Sequence, residues 1–280
     1  MNCFMFPGQP LSHGTEWPDD PDFKAIADMT RRRAFFDLET FSWVGAVGTD
    51  NVKLQLFGTA MSLYRFRVLR RERPLPDFVA EHSMGIYPAL AACGSLPEEA
   101  ALEMTFRVGT CLARMGERCS YALGCVVGLP REPLLAIAEN HGVYMANYNT
   151  SRHFLLSGER SAMEAAMAEA LATGAFSART FPCDTPLHTP LIGEIDGELR
   201  GIFNHYRYGE PRTRLMDHIN QDYLGAADVA PFLREELQRP VFWEKSYRAL
   251  RAAGVTSFVE VGMGDSLKKY NRWIDGELRS

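Results

Sequence analysis

A chain of 280 residues, 46% hydrophobic and 23% charged, has the balance of a folded globular protein with one large unit, alone or with a small insert, and not of a disordered chain. The formal net charge of -5 leaves no global basic field, and the one dense basic run, residues 65–73, is interrupted by Val68 and Leu69 as an exposed helix end would be, so nucleic acid is not expected as a partner. No apolar run approaches the roughly 20 residues of a membrane span, and the opening MNCFMFPGQP carries neither a basic stretch nor a long apolar one, which predicts a cytoplasmic protein without a membrane partner.

In chain order, the short apolar run 3–6 reads as a buried strand ended by Pro7-Gly8, and residues 10–23, rich in Pro, Asp and Gly, as surface loop. Apolar positions from 52 to 69 recur at helical spacing until Pro74 and Pro76 end the helix. Phe78-Val79-Ala80 predicts a short strand running straight into Glu81-His82-Ser83-Met84-Gly85. Helices are expected over 86–93 and 98–115, separated by Gly94-Ser95-Leu96-Pro97, with Ser95 or Leu96 preceding the proline that opens the second. The six cysteines (Cys3, Cys93, Cys111, Cys119, Cys125, Cys183) show no CxxC and no Cys/His spacing that suits zinc. Reduced, mostly buried thiols are the expectation, with no metal and no disulfide.

The middle of the chain has its own rhythm: strand 121–128, helix 132–140, strands 143–147 and 153–157 joined by an Asn/Thr/Ser turn, helix 160–172 and strand 175–183. That β-α-β-β-α-β order is the ferredoxin-like pattern, and it predicts a compact insert within a larger α/β unit. The division places residues 1–118 and 188–280 in the large unit and 119–187 in the insert. Helical stretches follow over 191–206 and 230–237, then a last helix over 243–253 and a strand over 257–261 that stops at Gly262-Met263-Gly264.

The segment 78–90 is a strand, a tight turn and a helix with Ser83 at the turn. In a nucleophile elbow such a serine projects its hydroxyl from the sheet, while a following backbone N–H stabilises the developing oxyanion. The same pattern suits a serine capping the helix that starts near Met84, and Glu81 stands where G-x-S-x-G has its first glycine. The local residues leave both readings open. His188, between Pro186 and Pro190, is a loop histidine of the kind that can take a proton from a serine and return it to a leaving thiol, or that serves structure alone.

Several separate segments together resemble the malonyl-CoA:acyl-carrier-protein transacylases and the acyltransferase domains of polyketide synthases. Phe6-Pro7-Gly8-Gln9 is similar to that family's opening FPGQGSQ, Glu81-His82-Ser83-Met84-Gly85 to its GHSxG, and Asn147 to Thr150 with Leu156-Ser157-Gly158 to its NxNSP and SG segments. Pro186 to Pro190 is similar to PFHSP, Arg239 to Trp243 to RPVxW, and Val259 to Gly264 to EVGPG. The matches keep the family's order along nearly the whole chain. The resemblance implies an α/β fold, an α/β-hydrolase-like large domain interrupted by a ferredoxin-like subdomain. It also implies an acyltransferase with Ser83 as nucleophile and His188 as base, the base oriented by a backbone carbonyl near Glu236-Leu237-Gln238. The oxyanion hole would be made by the backbone N–H groups of Met84 and Gln9. The implied partners are an acyl carrier protein and acyl-CoA or another acyl thioester, in fatty acid or polyketide synthesis, with no tightly bound cofactor.

The sequence also departs from that pattern. Malonyl-specific members hold the substrate carboxylate with an arginine twenty-five residues after the serine, where this chain has Val108; an alternative alignment would give that place, and malonate, to its neighbour Arg107, about 100° around a helix. Ile86 replaces the acidic or amide residue after GHSxG, Leu187 the Phe or Ser before the histidine, Lys53 a glutamine, and Pro10 to His13 the GSQ of the opening loop. Val108, Leu187, Ile86 and Arg107 are thus the expected acyl-selecting positions, and an uncharged acyl group is expected in place of malonyl. Two alternatives use the same sequence: an editing acyl hydrolase that clears carrier proteins, and a non-catalytic carrier-protein-binding relative.

Overall fold

The computed structural model describes residues 1–10, 17–41, 51–183 and 185–277. Strand β1 (Asn2–Phe6) is buried from Cys3 onward, as its unbroken apolar run requires of a central strand. Helix α1 (Pro21–Ala34) starts where surface loop is expected: the Asp20 side chain accepts the Asp22 N–H and Pro21 occupies the first turn, so the Pro/Asp-rich segment that reads as loop ends in a helix start. Of that predicted loop, residues 11–16 lie outside the described residues. Helix α2 (Asn51–Glu72) follows, then strand β2 (Phe78–Glu81), a single 3-10 turn over Ser83–Gly85, and helices α3 (Ile86–Ala92) and α4 (Glu98–Gly116). Pro97 does not open α4 as expected. Its extended backbone (ψ 146°) makes it the residue before the helix, and Ser95 is buried in the turn.

The basic run on α2 is tied down. Arg67 reaches Glu98 and Asp22, and Arg71 reaches Asp20 and Asp22, so the end of α2 is laced to the starts of α1 and α4.

The next six elements are β3 (Tyr121–Val127), α5 (Arg131–His141), β4 (Tyr144–Thr150), β5 (His153–Glu159), α6 (Arg160–Ala172) and β6 (Ser177–Pro182). They form an antiparallel sheet in the order β4-β5-β3-β6 with α5 and α6 packed on one face, the ferredoxin-like arrangement. Alternation on β3 decides that face: Ala122 and Val126 join Leu134, Met163 and Met167 in one apolar cluster, and a side chain at Gly124 would collide with the two methionine sulfurs.

The stretch expected as one helix over 191–206 divides into a 3-10 turn (Pro190–Ile195) and helix α7 (Asp196–Phe203). Then come the two-residue strand β7 (Arg214–Leu215), α8 (Val229–Glu236), α9 (Trp243–Ala252), β8 (Ser257–Glu260) and α10 (Ser266–Glu277). The large sheet is wholly parallel, in the order β7-β2-β1-β8. Among the described residues no helix is long and apolar enough to cross a membrane.

Parallel strands carry their ligand sites beyond their carboxyl ends, and here three such ends meet. Phe6 pairs with Glu81, so the loops after β1 and β2 leave side by side. The loop after β8 lies against the first, since a side chain at Gly262 would meet the Pro7 ring at 2.5 Å. The two units are stitched by backbone: Val241 donates to Ala146 and accepts from Tyr148, both at 2.8 Å, so the segment before α9 extends the small sheet at β4.

Gly85 has the least space of the described glycines in this junction. A Cβ built there would lie 2.2 Å from the Phe6 carbonyl oxygen and 2.9 Å from that of Pro7, both backbone atoms that cannot turn aside. Gly85→Ala is therefore expected to lower stability by at least about 2 kcal/mol, because the elbow must lift off β1; urea unfolding with an unchanged midpoint would refute this.

Candidate active site

The turn after β2 is what a serine elbow requires. Ser83 takes a left-handed backbone (φ 57°), sparsely populated by residues with a side chain, and is held there by hydrogen bonds on either side: His82 N–H to the Phe6 carbonyl (3.0 Å) and Gly85 N–H to the His82 carbonyl (3.1 Å). Its half-buried Oγ points at His188, 2.6 Å from Nε2. Capping the next helix is not its role, because no side-chain cap bond forms at the 3-10 turn or at α3.

His188 is also left-handed (φ 58°) and sits between Leu187 and Thr189, whose hydroxyl donates to the Pro186 carbonyl at 2.7 Å. Its Nδ1 lies 2.9 Å from the Glu236 carbonyl at the end of α8. A carbonyl only accepts, so Nδ1 carries the proton and Nε2 presents a lone pair to the serine. Burial is the main reason its pKa is pushed down to about 4, so the ring is neutral near pH 7.

Behind the elbow a second chain of side chains reaches into the ferredoxin-like unit. His82 Nε2 lies 2.8 Å from Asn149 Oδ1, Asn149 Nδ2 lies 3.0 Å from His153 Nδ1, and His153 Nε2 lies 3.6 Å from Cys125 Sγ. Along the shorter contacts His82 donates to Asn149, which donates to His153, which donates to the thiol, while Asn147 Nδ2 lies 3.3 Å from the same His82 nitrogen. Burial pushes both histidines down to about 4 and the Cys125 thiol up to about 11, so this is an uncharged structural bridge.

The remaining expected site residues fall in two groups. Met84 occupies the first turn after Ser83, where its N–H has no intrahelical acceptor, and Gln9 follows Gly8, whose built Cβ would lie 3.1 Å from the His82 carbonyl oxygen. Leu11, Ser12 and His13 of the same loop lie outside the described residues, and Lys53 is exposed on α2. Val108 and Ile86 are fully buried in one apolar cluster with Met84, and half-buried Leu187 packs against it. Arg107 is turned elsewhere: its guanidinium lies over the Tyr206 ring at 5.7 Å, with Nη1 3.5 Å from the Tyr206 hydroxyl and 3.8 Å from Glu103.

Ser83, His188 and the carbonyl of Glu236 lie together as expected, and polar groups that the sequence does not mark stand beside them. His218 Nδ1 is 2.5 Å from Glu81 Oε1, and the Glu236 carboxyl is 3.8 Å from His188 Nδ1. Glu81 was visible as a carboxylate at a glycine position; nothing in the pattern around His218 marks it as its partner. The bridge from the elbow has a measurable consequence. Asn149→Ala would leave His153 Nδ1 unpaired and His82 Nε2 with only its 3.3 Å contact to Asn147, and is expected to cost about 1–3 kcal/mol in urea unfolding; a loss below about 0.5 kcal/mol would show that the bridge holds nothing.

Residues 42–267 match the family described as "Acyl transferase domain". The malonyl CoA-acyl carrier protein transacylase of Bacillus subtilis (strain 168) is 29% identical over 96% of this chain and 90% of its own length. Among solved structures, the malonyl CoA-acyl carrier protein transacylase of Coxiella burnetii superimposes with a TM-score of 0.90 at 23% identity, covering 99% of this chain and 91% of that one. A malonyl-transacylase in complex with its type II PKS acyl-carrier protein does so with a TM-score of 0.89 at 21% identity, covering 98% and 93%. At those identities the solved structures establish the fold, and the match over most of the chain establishes the kinship: this protein belongs to the acyl transferase domain family.

Proposed function

We propose that this chain transfers an acyl group from a thioester, on coenzyme A or a carrier protein, to the pantetheine thiol of an acyl carrier protein through an ester on Ser83, and that the acyl group is uncharged. The observation that carries the transfer is the aligned series Ser83 Oγ, His188 Nε2, His188 Nδ1 and the Glu236 carbonyl, with contacts of 2.6 and 2.9 Å. Ser83 gives its proton to Nε2 as Oγ attacks the thioester carbon; the C–S bond breaks and His188 returns the proton to the departing thiolate. An acceptor thiol then repeats the sequence in reverse. The N–H groups of Met84 and Gln9 are the proposed donors to the carbonyl oxygen as it becomes negative. The relative solved with its acyl-carrier protein supports the choice of acceptor. The large unit, 1–118 and 188–280, would carry the reacting pair, and 119–187 would wall the site through β4.

The uncharged acyl group rests on Val108, fully buried among Met104, Cys111 and Leu112, and on the engagement of Arg107 with Tyr206 and Glu103. A carboxylate placed beside Val108 would be desolvated without a partner, at a cost of roughly 3–5 kcal/mol.

Intact-protein mass spectrometry after mixing with acetyl-CoA, malonyl-CoA and acyl-loaded carrier protein tests both parts. The expected result is an acetyl ester on Ser83, discharged by carrier thiol, with malonyl loading at least about tenfold slower. No adduct should form on Ser83→Ala, and His188→Ala should load on the order of 10²–10⁴ times more slowly. Preferential malonyl loading would sink the selectivity argument, and release of free acid without transfer would identify a hydrolase instead.

A further inference from the structure

We propose that the side chain of Glu236 is a positioning residue for His188, supplying a buried counter-charge beside the imidazolium that forms when Ser83 is deprotonated. This rests on the reading of Ser83 and His188 as the reacting pair. Glu236 meets His188 twice: its backbone carbonyl accepts the Nδ1 proton at 2.9 Å, and its carboxyl lies 3.8 Å from the same nitrogen. The carboxyl is 1% exposed, and its Oε2 has no hydrogen-bond partner among the described groups. A buried, incompletely bonded carboxyl costs stability, so its position against His188 calls for a use.

The surroundings allow that use. Glu81 faces Glu236 from β2, Tyr87 from α3, and His188 from the loop before Pro190. His218, in the turn after β7, packs its ring on Phe232, one turn before Glu236 on α8. Glu81 and His218 share a proton across 2.5 Å; the pair is neutral when His218 Nε2 is protonated as well and carries one negative charge when it is not. Asp217 spends its carboxylate on the Ile219 and Asn220 N–H groups of its own turn. Among the described residues the carboxyl that lies within 4 Å of His188 Nδ1 is that of Glu236, and burial, and after it the nearness of Glu81, holds it well above the usual carboxylate range.

The proton balance is simple. With Glu236 ionised, the Ser83 proton moves to Nε2 and the resulting cation lies next to an anion; with Glu236 protonated it does not. On lowering pH, the rate of acyl-serine formation should fall in two steps: a partial one as Glu236 takes a proton, then complete loss as His188 does near its lowered pKa of about 4.

The test is the pH profile of Ser83 acylation by acetyl-CoA in the wild type and in Glu236→Gln, which keeps the backbone carbonyl and side-chain volume. The variant is expected to lose the upper step and to run roughly tenfold below the wild-type plateau. Superimposable profiles would overturn the proposal. The same profiles are measured with phenylmethylsulfonyl fluoride, which sulfonylates an activated serine with loss of fluoride. Two-step sulfonylation without thioester loading would sink the proposed function and leave Glu236 its role. Loading with one-step profiles in both proteins would do the reverse, and a Ser83 inert to both reagents would overturn the two together. Should Glu236→Gln fail to fold, the 15N shifts of His188 in the wild type serve: two titration steps are expected, and a single step refutes the proposal.

Discussion

The approach of Gly85 to the Phe6 and Pro7 carbonyls is the constraint on which the rest of the site depends. With no Cβ in the way, the turn after β2 drops onto the end of β1, His82 bonds the Phe6 carbonyl, and Ser83 is forced into a left-handed backbone. A serine so placed stands out from the carboxyl end of a parallel sheet and not along the next helix, the placement of an elbow serine and not of a capping one. The loops after β1 and β8 then close on the same point, and the segment at Val241 fastens the smaller sheet beside it.

Electrostatics at the elbow follow from how little water reaches it. Four histidines, His82, His153, His188 and His218, are buried and each is pushed down to about 4 by that burial. A dry site full of neutral imidazoles is one where an acceptor nitrogen stays an acceptor near neutral pH, and where any single charge acts strongly on its neighbours. Glu81 Oε1 and His218 Nδ1 bond each other, Asn149 orients His82 and His153, and Glu236 orients His188 through its carbonyl.

The order of strands and helices was largely legible before any coordinates. Period-two and period-3.6 patterns mark β3 to β6 with their two helices to within a few residues, because each buries one face against a single cluster. What escaped was short or hidden by composition. Helix α1 begins inside a Pro/Asp-rich stretch whose residues serve a helix start as well as a loop, and β7 has only two residues, too few for a period. Helix α10 was not anticipated from the polar run after Gly264, although Leu267, Asn271 and Ile274 supply a buried face at helical spacing.

The sequence by itself carried the kinship and the two-unit layout and marked Ser83 and His188 as candidates, since a strand-turn-helix around serine and ordered short segments are local properties that a linear chain displays. It could show Glu81 only as a departure from a glycine position. That Glu81 meets His218, and that the carboxyl of Glu236 lies against His188 beside its carbonyl, were decided by the tertiary structure alone. These groups are 48 and 137 residues apart along the chain. Buried polar partners follow no sequence period; they are chosen by whichever strand ends and helix termini the packed core brings together in the absence of water.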